Sequence, residues 1–134
     1  MEGLQPGVTG TFTMKVERQH CTSRGGPWVF ATPEMVRFSE RSSHELVAPL
    51  LGPGRHTVGA VVNIRHLAPT LEGQTVRAEV ALAEVDRRRL KFRIELFDEI
   101  DKMMSTFYFL DKASFKLLQF ILLCHFGLNI QCYT

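Results

Sequence analysis

Residues 29–51 read Val29-Phe30-Ala31-Thr32-Pro33-Glu34-Met35-Val36-Arg37-Phe38-Ser39-Glu40-Arg41-Ser42-Ser43-His44-Glu45-Leu46-Val47-Ala48-Pro49-Leu50-Leu51, and this stretch decides the fold. Thr32 suits a helix N-cap, because a threonine hydroxyl accepts one of the orphan N–H groups of the first turn. Pro33 suits the first helical position, where no N–H is needed. Glu34 suits the positive end of the helix dipole. The pattern predicts a helix from about Pro33 to about Leu51, with Met35, Phe38, Ser42, Leu46 and Leu50 roughly on one stripe. Pro49 and Gly52-Pro53-Gly54 end it. Its middle, Ser39 to Glu45, is unusually polar for a helix that packs on a core.

Strand patterns lie on both sides of this helix. Upstream, Val8, Gly10, Phe12, Met14 and Val16 alternate with Thr and Lys, as in a half-buried strand. Gln19 to Trp28 reads as a loop, punctuated by Gly25, Gly26 and Pro27. Downstream, His56 to His66 is rich in Val and Ile, and Leu67 to Gly73 is a connection containing Pro69. Gln74 to Val85 puts Val76, Ala78, Val80 and Leu82 on one face and Arg77 and Glu79 on the other. Asp86 to Arg88 makes a tight turn. Leu90, Phe92, Ile94 and Leu96 then alternate with Lys91, Arg93 and Glu95 in the cleanest period-2 segment of the chain. Phe97 to Lys102 is a further turn, and Met103 to Leu110 is a last strand. A strand, a long helix and three or four antiparallel strands make a two-layer α+β domain.

Residues 1–110 are expected to form this domain, and residues 111–134 an atypical apolar C-terminal tail. Ala113 to Ile130 is apolar nearly all round but shorter than the roughly 20 residues a bilayer span needs. A packed helix or a poorly ordered segment is expected there rather than membrane contact.

Composition narrows the function. A net charge of +2, with no Lys/Arg run interleaved with aromatics, excludes a nucleic-acid partner. Cys21, Cys124 and Cys132 are odd in number and irregular in spacing, a poor disulfide framework that suits a reducing compartment. No Cys/His cluster has zinc spacing, so no metal is expected. Met1 to Gly10 lacks the cationic and apolar regions of a secretory signal. The expected location is cytoplasmic, with a mitochondrial one left open.

Three polar residues stand where apolar elements begin, run or end: Thr32, Glu40 and His66. Each has a plain reading, as an N-cap, a solvated helix charge and a structural histidine. The plain reading of Gly59 is a bulge in its strand. Chemistry enters through a resemblance. Val29-Phe30-Ala31-Thr32-Pro33-Glu34-Met35-Val36, Glu40, Ala48-Pro49, Val58-Gly59-Ala60 and His66 resemble segments of hot-dog-fold thioesterases. So do Pro69, Gly73-Gln74-Thr75-Val76 and Glu84-Val85-Asp86-Arg87-Arg88-Arg89-Leu90. The chain is most similar to the fluoroacetyl-CoA thioesterase-like branch, over roughly residues 5–102.

The resemblance implies a long helix wrapped by an antiparallel sheet. It implies a homodimer, or higher even oligomer, with active sites at the subunit interface. It also implies hydrolysis of a small or medium acyl-CoA, with no cofactor, since coenzyme A is part of the substrate. Thr32 is then the nucleophile or the hydroxyl that positions water, His66 polarises or deprotonates it, and Glu40 attacks or orients. A backbone N–H around Gly59 lies near the acyl group, and Trp28 partly covers the site. A threonine hydroxyl is a weak nucleophile that needs a base, and histidine supplies one near neutral pH. A helix N-terminus at Thr32 also offers free N–H groups to a developing oxyanion. Arg87, Arg88 and Arg89 read as a solvated hairpin tip, with coenzyme A phosphates as the other reading.

The chain departs from the branch in two places. Gly25-Gly26-Pro27-Trp28 is too short for the aromatic lid of the fluoroacetate-specific enzyme, so that selectivity is not implied. Met104, Thr106, Tyr108 and Leu110 stand where the family's last strand carries small residues, a His and an Arg. This motivates the alternative of a non-catalytic hot-dog domain, with a replaced C-terminus, that binds acyl-CoA or another apolar ligand. An enoyl-thioester hydratase fits less well, because those enzymes generally carry an Asp/His pair on the helix.

Overall fold

The computed structural model describes residues 3–115, with side chains through residue 106. The chain runs β1 (Thr9–Lys15), a 3-10 turn (Arg18–His20), β2 (Cys21–Thr22), β3 (Val29–Phe30) and α1 (Thr32–Leu51). It continues as β4 (Arg55–His66), β5 (Thr75–Asp86), β6 (Arg89–Phe97) and β7 (Met103–Phe115). Five strands form one sheet in the order β1-β5-β6-β7-β4. All its pairings are antiparallel. One helix against one antiparallel sheet is the expected α+β architecture.

The alternation of β5 and β6 decides the core. Val76, Ala78, Val80 and Leu82 point inward from β5, and Leu90, Phe92, Ile94 and Leu96 from β6. The register sets Ala78 opposite Leu96, Val80 opposite Ile94 and Leu82 opposite Phe92. Such cross-strand apolar pairs are the unit of sheet stabilisation. From α1, Met35, Phe38, Val47 and Leu51 join the same cluster, closed by Val16, Phe30 and Met104. Each large side chain removed from water contributes roughly 1.5–3 kcal/mol.

The polar middle of α1 divides by face. Glu40, Arg41 and Glu45 are exposed, whereas Ser39, Ser42 and Ser43 are buried. Ser42 Oγ donates to the Phe38 carbonyl at 2.8 Å and Ser43 Oγ to the Ser39 carbonyl at 2.9 Å. Each hydroxyl is thus satisfied one turn back, within its own helix. Ser39 Oγ is buried and has no partner among the described residues.

Four expectations are corrected. The N-cap is Ala31, with no side-chain cap bond, and Thr32 is already helical. The Ala31 carbonyl accepts the N–H groups of Glu34 and Met35, both at 3.0 Å, so the Thr32 hydroxyl does not cap. Pro49 lies inside α1 rather than ending it, and the helix stops at Gly52, which adopts φ 80. That left-handed conformation is cheap only for glycine. The expected loop from Gln19 to Trp28 contains a helical turn and β2, which pairs with β3. The last strand runs past Leu110 to Phe115, so the sheet includes residues 111–115. The remainder of the apolar tail lies outside the described residues. No helix among the described residues is long and apolar enough to cross a membrane.

Two substitutions report on this packing in opposite directions. Phe92→Ala is expected to lower the unfolding free energy by about 3–5 kcal/mol. Ser39→Ala removes a buried unpaired hydroxyl and is expected to raise it by about 1 kcal/mol or more. Urea denaturation followed by circular dichroism measures both.

Candidate functional site

Thr32 is the first residue of α1 and His66 the last of β4. Thr32 Oγ1 lies 2.9 Å from His66 Nδ1 across 34 residues of sequence. On the other side of the ring, His66 Nε2 lies 3.1 Å from the Ala68 carbonyl oxygen. A carbonyl can only accept, so Nε2 carries the hydrogen and donates. Nδ1 is then the lone-pair nitrogen and accepts the Thr32 hydroxyl hydrogen. The Ala68 carbonyl therefore sets the tautomer in which His66 turns a lone pair toward Thr32.

Backbone hydrogen bonds hold both partners. Phe30 N–H donates to the Thr70 carbonyl at 2.8 Å, tying the chain before Thr32 to the chain after His66. Ala31 N–H donates to the His20 carbonyl at 2.9 Å. The N–H groups of Leu67 and Ala68 both reach the Met104 carbonyl, at 2.7 and 3.3 Å, which turns the chain sharply after β4. That turn brings the Ala68 carbonyl back to the His66 ring. Ser105 Oγ donates to the Arg65 carbonyl at 2.7 Å and fastens the end of β4 to β7. Ala68 precedes Pro69, and a residue before proline is driven to extended backbone. That dipeptide was the sole sequence signal for this carbonyl, and the sequence reading assigned it no role.

The expected set of free N–H groups at the helix start shrinks to one. Pro33 has none, and those of Glu34 and Met35 go to Ala31. Of the first turn, only the Thr32 N–H has no backbone acceptor among the described residues.

Of the other expected site residues, Glu40 and Gly59 lie apart from this pair within one chain. Glu40 is exposed and eight residues along α1 from Thr32, a rise of about 12 Å. It makes no hydrogen bond or ion pair among the described residues. It belongs to the face of α1 that runs along β4: one turn on, His44 Nδ1 lies 3.1 Å from Thr57 Oγ1. Gly59 is exposed on β4, where the pairing with β7 shifts register between Gly59 and Val61. It is seven residues from His66, about 23 Å along the strand. Trp28 is exposed, and the Arg18 guanidinium covers its ring at 4.4 Å while pairing with Glu72 at 2.8 Å. A concavity of about 400 Å³ between Met14, Phe38, Arg37 and Arg41 includes neither Thr32 nor His66.

Among the described residues, no group of three or more His, Cys, Asp or Glu could hold a metal ion. Burial, and then the charge of Glu72, push the Cys21 thiol up against the opposing effect of Arg18. Cys21 therefore stays protonated at neutral pH and does not compete as a nucleophile.

Residues 8–106 match the family model described as fluoroacetyl-CoA-specific thioesterase, beginning three residues later and ending four residues later than the stretch read from sequence. A fluoroacetyl-CoA thioesterase of Streptantibioticus cattleyicolor is 37% identical over 79 residues. That alignment covers 59% of this chain and 57% of the relative, so it spans little more than half of the relative's length. A variant of a fluoroacetyl-CoA-specific thioesterase, crystallised with fluoroacetate and CoA, superposes with a TM-score of 0.80 at 27% identity. It covers 87% of this chain and 99% of that one. A hot-dog-like protein from Thermanaerovibrio acidaminovorans superposes with a TM-score of 0.81 at 19% identity, over 92% and 94% of the two chains. The fold is the hot-dog fold, and the chain belongs to the fluoroacetyl-CoA-specific thioesterase family.

Proposed function

We propose that the protein hydrolyses a small or medium acyl-CoA thioester at Thr32 and His66. One observation carries this reading: the hydroxyl of Thr32 donates to a histidine nitrogen whose tautomer is fixed from behind. A domain that only held acyl-CoA would need no base-polarised hydroxyl. Thr32 Oγ1 attacks the thioester carbonyl carbon as its proton passes to His66 Nδ1. The C–S bond breaks, and the departing thiolate takes that proton and leaves as coenzyme A. Water, deprotonated by His66 in turn, then hydrolyses the acyl-threonine ester. The reaction takes no cofactor, since coenzyme A enters as part of the substrate. A cytoplasmic, reducing setting suits the free thiol of Cys21.

The working unit in this reading is a homodimer or a higher even oligomer. In one chain the Thr32–His66 pair is exposed, whereas catalysis through hydrogen bonds gains from excluding water. β4 is one of the two edge strands of the sheet and is 12 residues long. Val61 and Val62 on it are 53% and 45% exposed. A long apolar edge with no proline is a pairing site unless something covers it. Two copies pairing β4 antiparallel about a two-fold axis near Val61–Val62 cover both edges at once. His66 of one copy then lies beside Thr57 and Val58 of the other. The second copy's Glu40 face and the backbone around its Gly59 reach the Thr32–His66 pair, which the same residues of one chain do not. Glu40 orients the reacting groups, the Gly59 region offers N–H groups to the oxyanion, and Trp28 flanks the entrance.

Thiol release from a panel of acyl-CoAs tests the site. Thr32→Ala and His66→Ala are each expected to lower kcat/KM by about 10²–10⁴; release unchanged by both would remove this site. Nitrogen NMR of His66 is expected to show Nε2 protonated and Nδ1 bare in the neutral ring; the opposite tautomer would end the role of Nδ1 as base. Light scattering is expected to find an even oligomer. Val61→Asp should give monomers without thiol release, and a fully active monomer would rule out a shared site.

A further inference from the structure

Arg87, Arg88 and Arg89 are all exposed at the turn between β5 and β6. Asp86 pairs with Arg89, leaving Arg87 and Arg88 as a two-residue loop. Arg87 adopts φ 54, the left-handed region. That conformation costs a residue with a β-carbon roughly 1–2 kcal/mol, and Gly or Asn is the ordinary occupant of such hairpin turns. Strain of this kind points to a use for the side chain held there. Together with Asp86, the three arginines line an open concavity of about 720 Å³. Glu84, the next carboxylate along β5, is already bonded to Lys91 at 2.8 Å.

Sheet register locates this cluster. Arg89 pairs with Lys112 of β7, and Lys112 pairs with Val58 of β4. The turn therefore lies two strands in from Val58. Within one chain Val58 is eight residues from His66, about 26 Å along the strand. Across a β4–β4 two-fold, by contrast, Val58 of one copy adjoins His66 of the other. The arginines of one copy are then about three strand spacings, roughly 14 Å, from the other copy's His66. In a coenzyme A thioester, roughly thirteen chain bonds separate the sulfur from the first phosphorus. At the ~1.2 Å per bond of an extended chain, that arm spans about 15 Å.

We propose that Arg87, Arg88 and Arg89 of one subunit bind the phosphates of the coenzyme A thioester whose acyl group sits at Thr32 and His66 of the other subunit. This rests on the dimeric thioesterase reading and adds to it the site for the leaving group's nucleotide. Guanidinium groups match phosphate oxygens in bidentate geometry and keep their charge throughout the working pH range. Binding energy from this unreacting end holds the thioester in place against Thr32.

The test compares an acyl-CoA with the same acyl group on N-acetylcysteamine, which lacks the phosphates. The variant carries Arg87→Gly, Arg88→Ser and Arg89→Ser; glycine relieves the left-handed strain, so the turn is kept. KM for the acyl-CoA is expected to rise about tenfold or more, with the effect fading as salt screens the wild-type protein. Activity on the truncated thioester should stay within about twofold. An unchanged KM for acyl-CoA, or an equal loss on both thioesters, would overturn the proposal. Calorimetric titration with coenzyme A itself separates this outcome from failure of the thioesterase reading. Affinity weakened about tenfold in the variant supports the phosphate site even without turnover, and unweakened affinity overturns it. Mixed dimers then assign the subunit. A His66→Ala chain paired with the arginine-free chain keeps its one intact dyad opposite intact arginines. A normal KM supports binding across the interface, and a raised KM overturns it.

Discussion

The apolar layer between α1 and the inward rows of β5 and β6 is the constraint from which the rest of the molecule follows. Met35 and Phe38 anchor the helix within two turns of its start, and Val47 and Leu51 anchor its far end. With both ends fixed on the sheet, the direction of α1 is not free. Thr32 must emerge where β4 ends, and Glu40, though exposed, must share the face of α1 that runs along β4. Core packing of this density leaves little room for a helix to slide. The Thr32–His66 pair at the helix start inherits that rigidity.

The site itself is built mostly from main chain. Phe30 to Thr70, Ala31 to His20, and Leu67 and Ala68 to Met104 are backbone hydrogen bonds that converge on two side chains. The distance between Thr32 Oγ1 and His66 Nδ1 is therefore set by peptide geometry at the ends of rigid elements, where reacting groups are held best. The Ala68 carbonyl adds the chemical part. It occupies one ring nitrogen so that the other is left bare toward the hydroxyl. A carboxylate does this in many hydrolytic sites, and here a neutral carbonyl stands in that place.

Much of the fold was legible in the sequence because it follows short periods. Leu90, Phe92, Ile94 and Leu96 announce an inward strand row on their own, and Pro33 with Glu34 announces a helix start. Features that depend on distant partners were not legible. Thr32 reads as a cap because a hydroxyl before Pro-Glu usually is one; nothing local says that a histidine 34 residues away will take it. Ser42 reads as a polar member of the apolar stripe and Ser39 and Ser43 as part of an unusually polar middle, yet Ser42 and Ser43 satisfy themselves within the helix and so can be buried. The Ala68 carbonyl has no letter at all. Glu40 and Gly59 were singled out by resemblance, and within one chain they stand away from the pair they were grouped with. That separation is a matter of helix rise and strand length, which a motif read as a string does not register. β4 reads as an ordinary Val/Ile-rich strand, and only the sheet order makes it an edge.

In the proposed dimer, the position of β4 at that edge would tie folding to abundance. When a second copy is what covers Val61 and Val62, each monomer gains part of its stability from association, and mass action then governs that part. Specific activity would fall on dilution even with every chain intact. Melting temperature would rise with protein concentration, and a damaged chain would lower the output of its undamaged neighbour. For such a molecule the amount made in a cell is itself a setting of the enzyme, alongside its affinity and its rate.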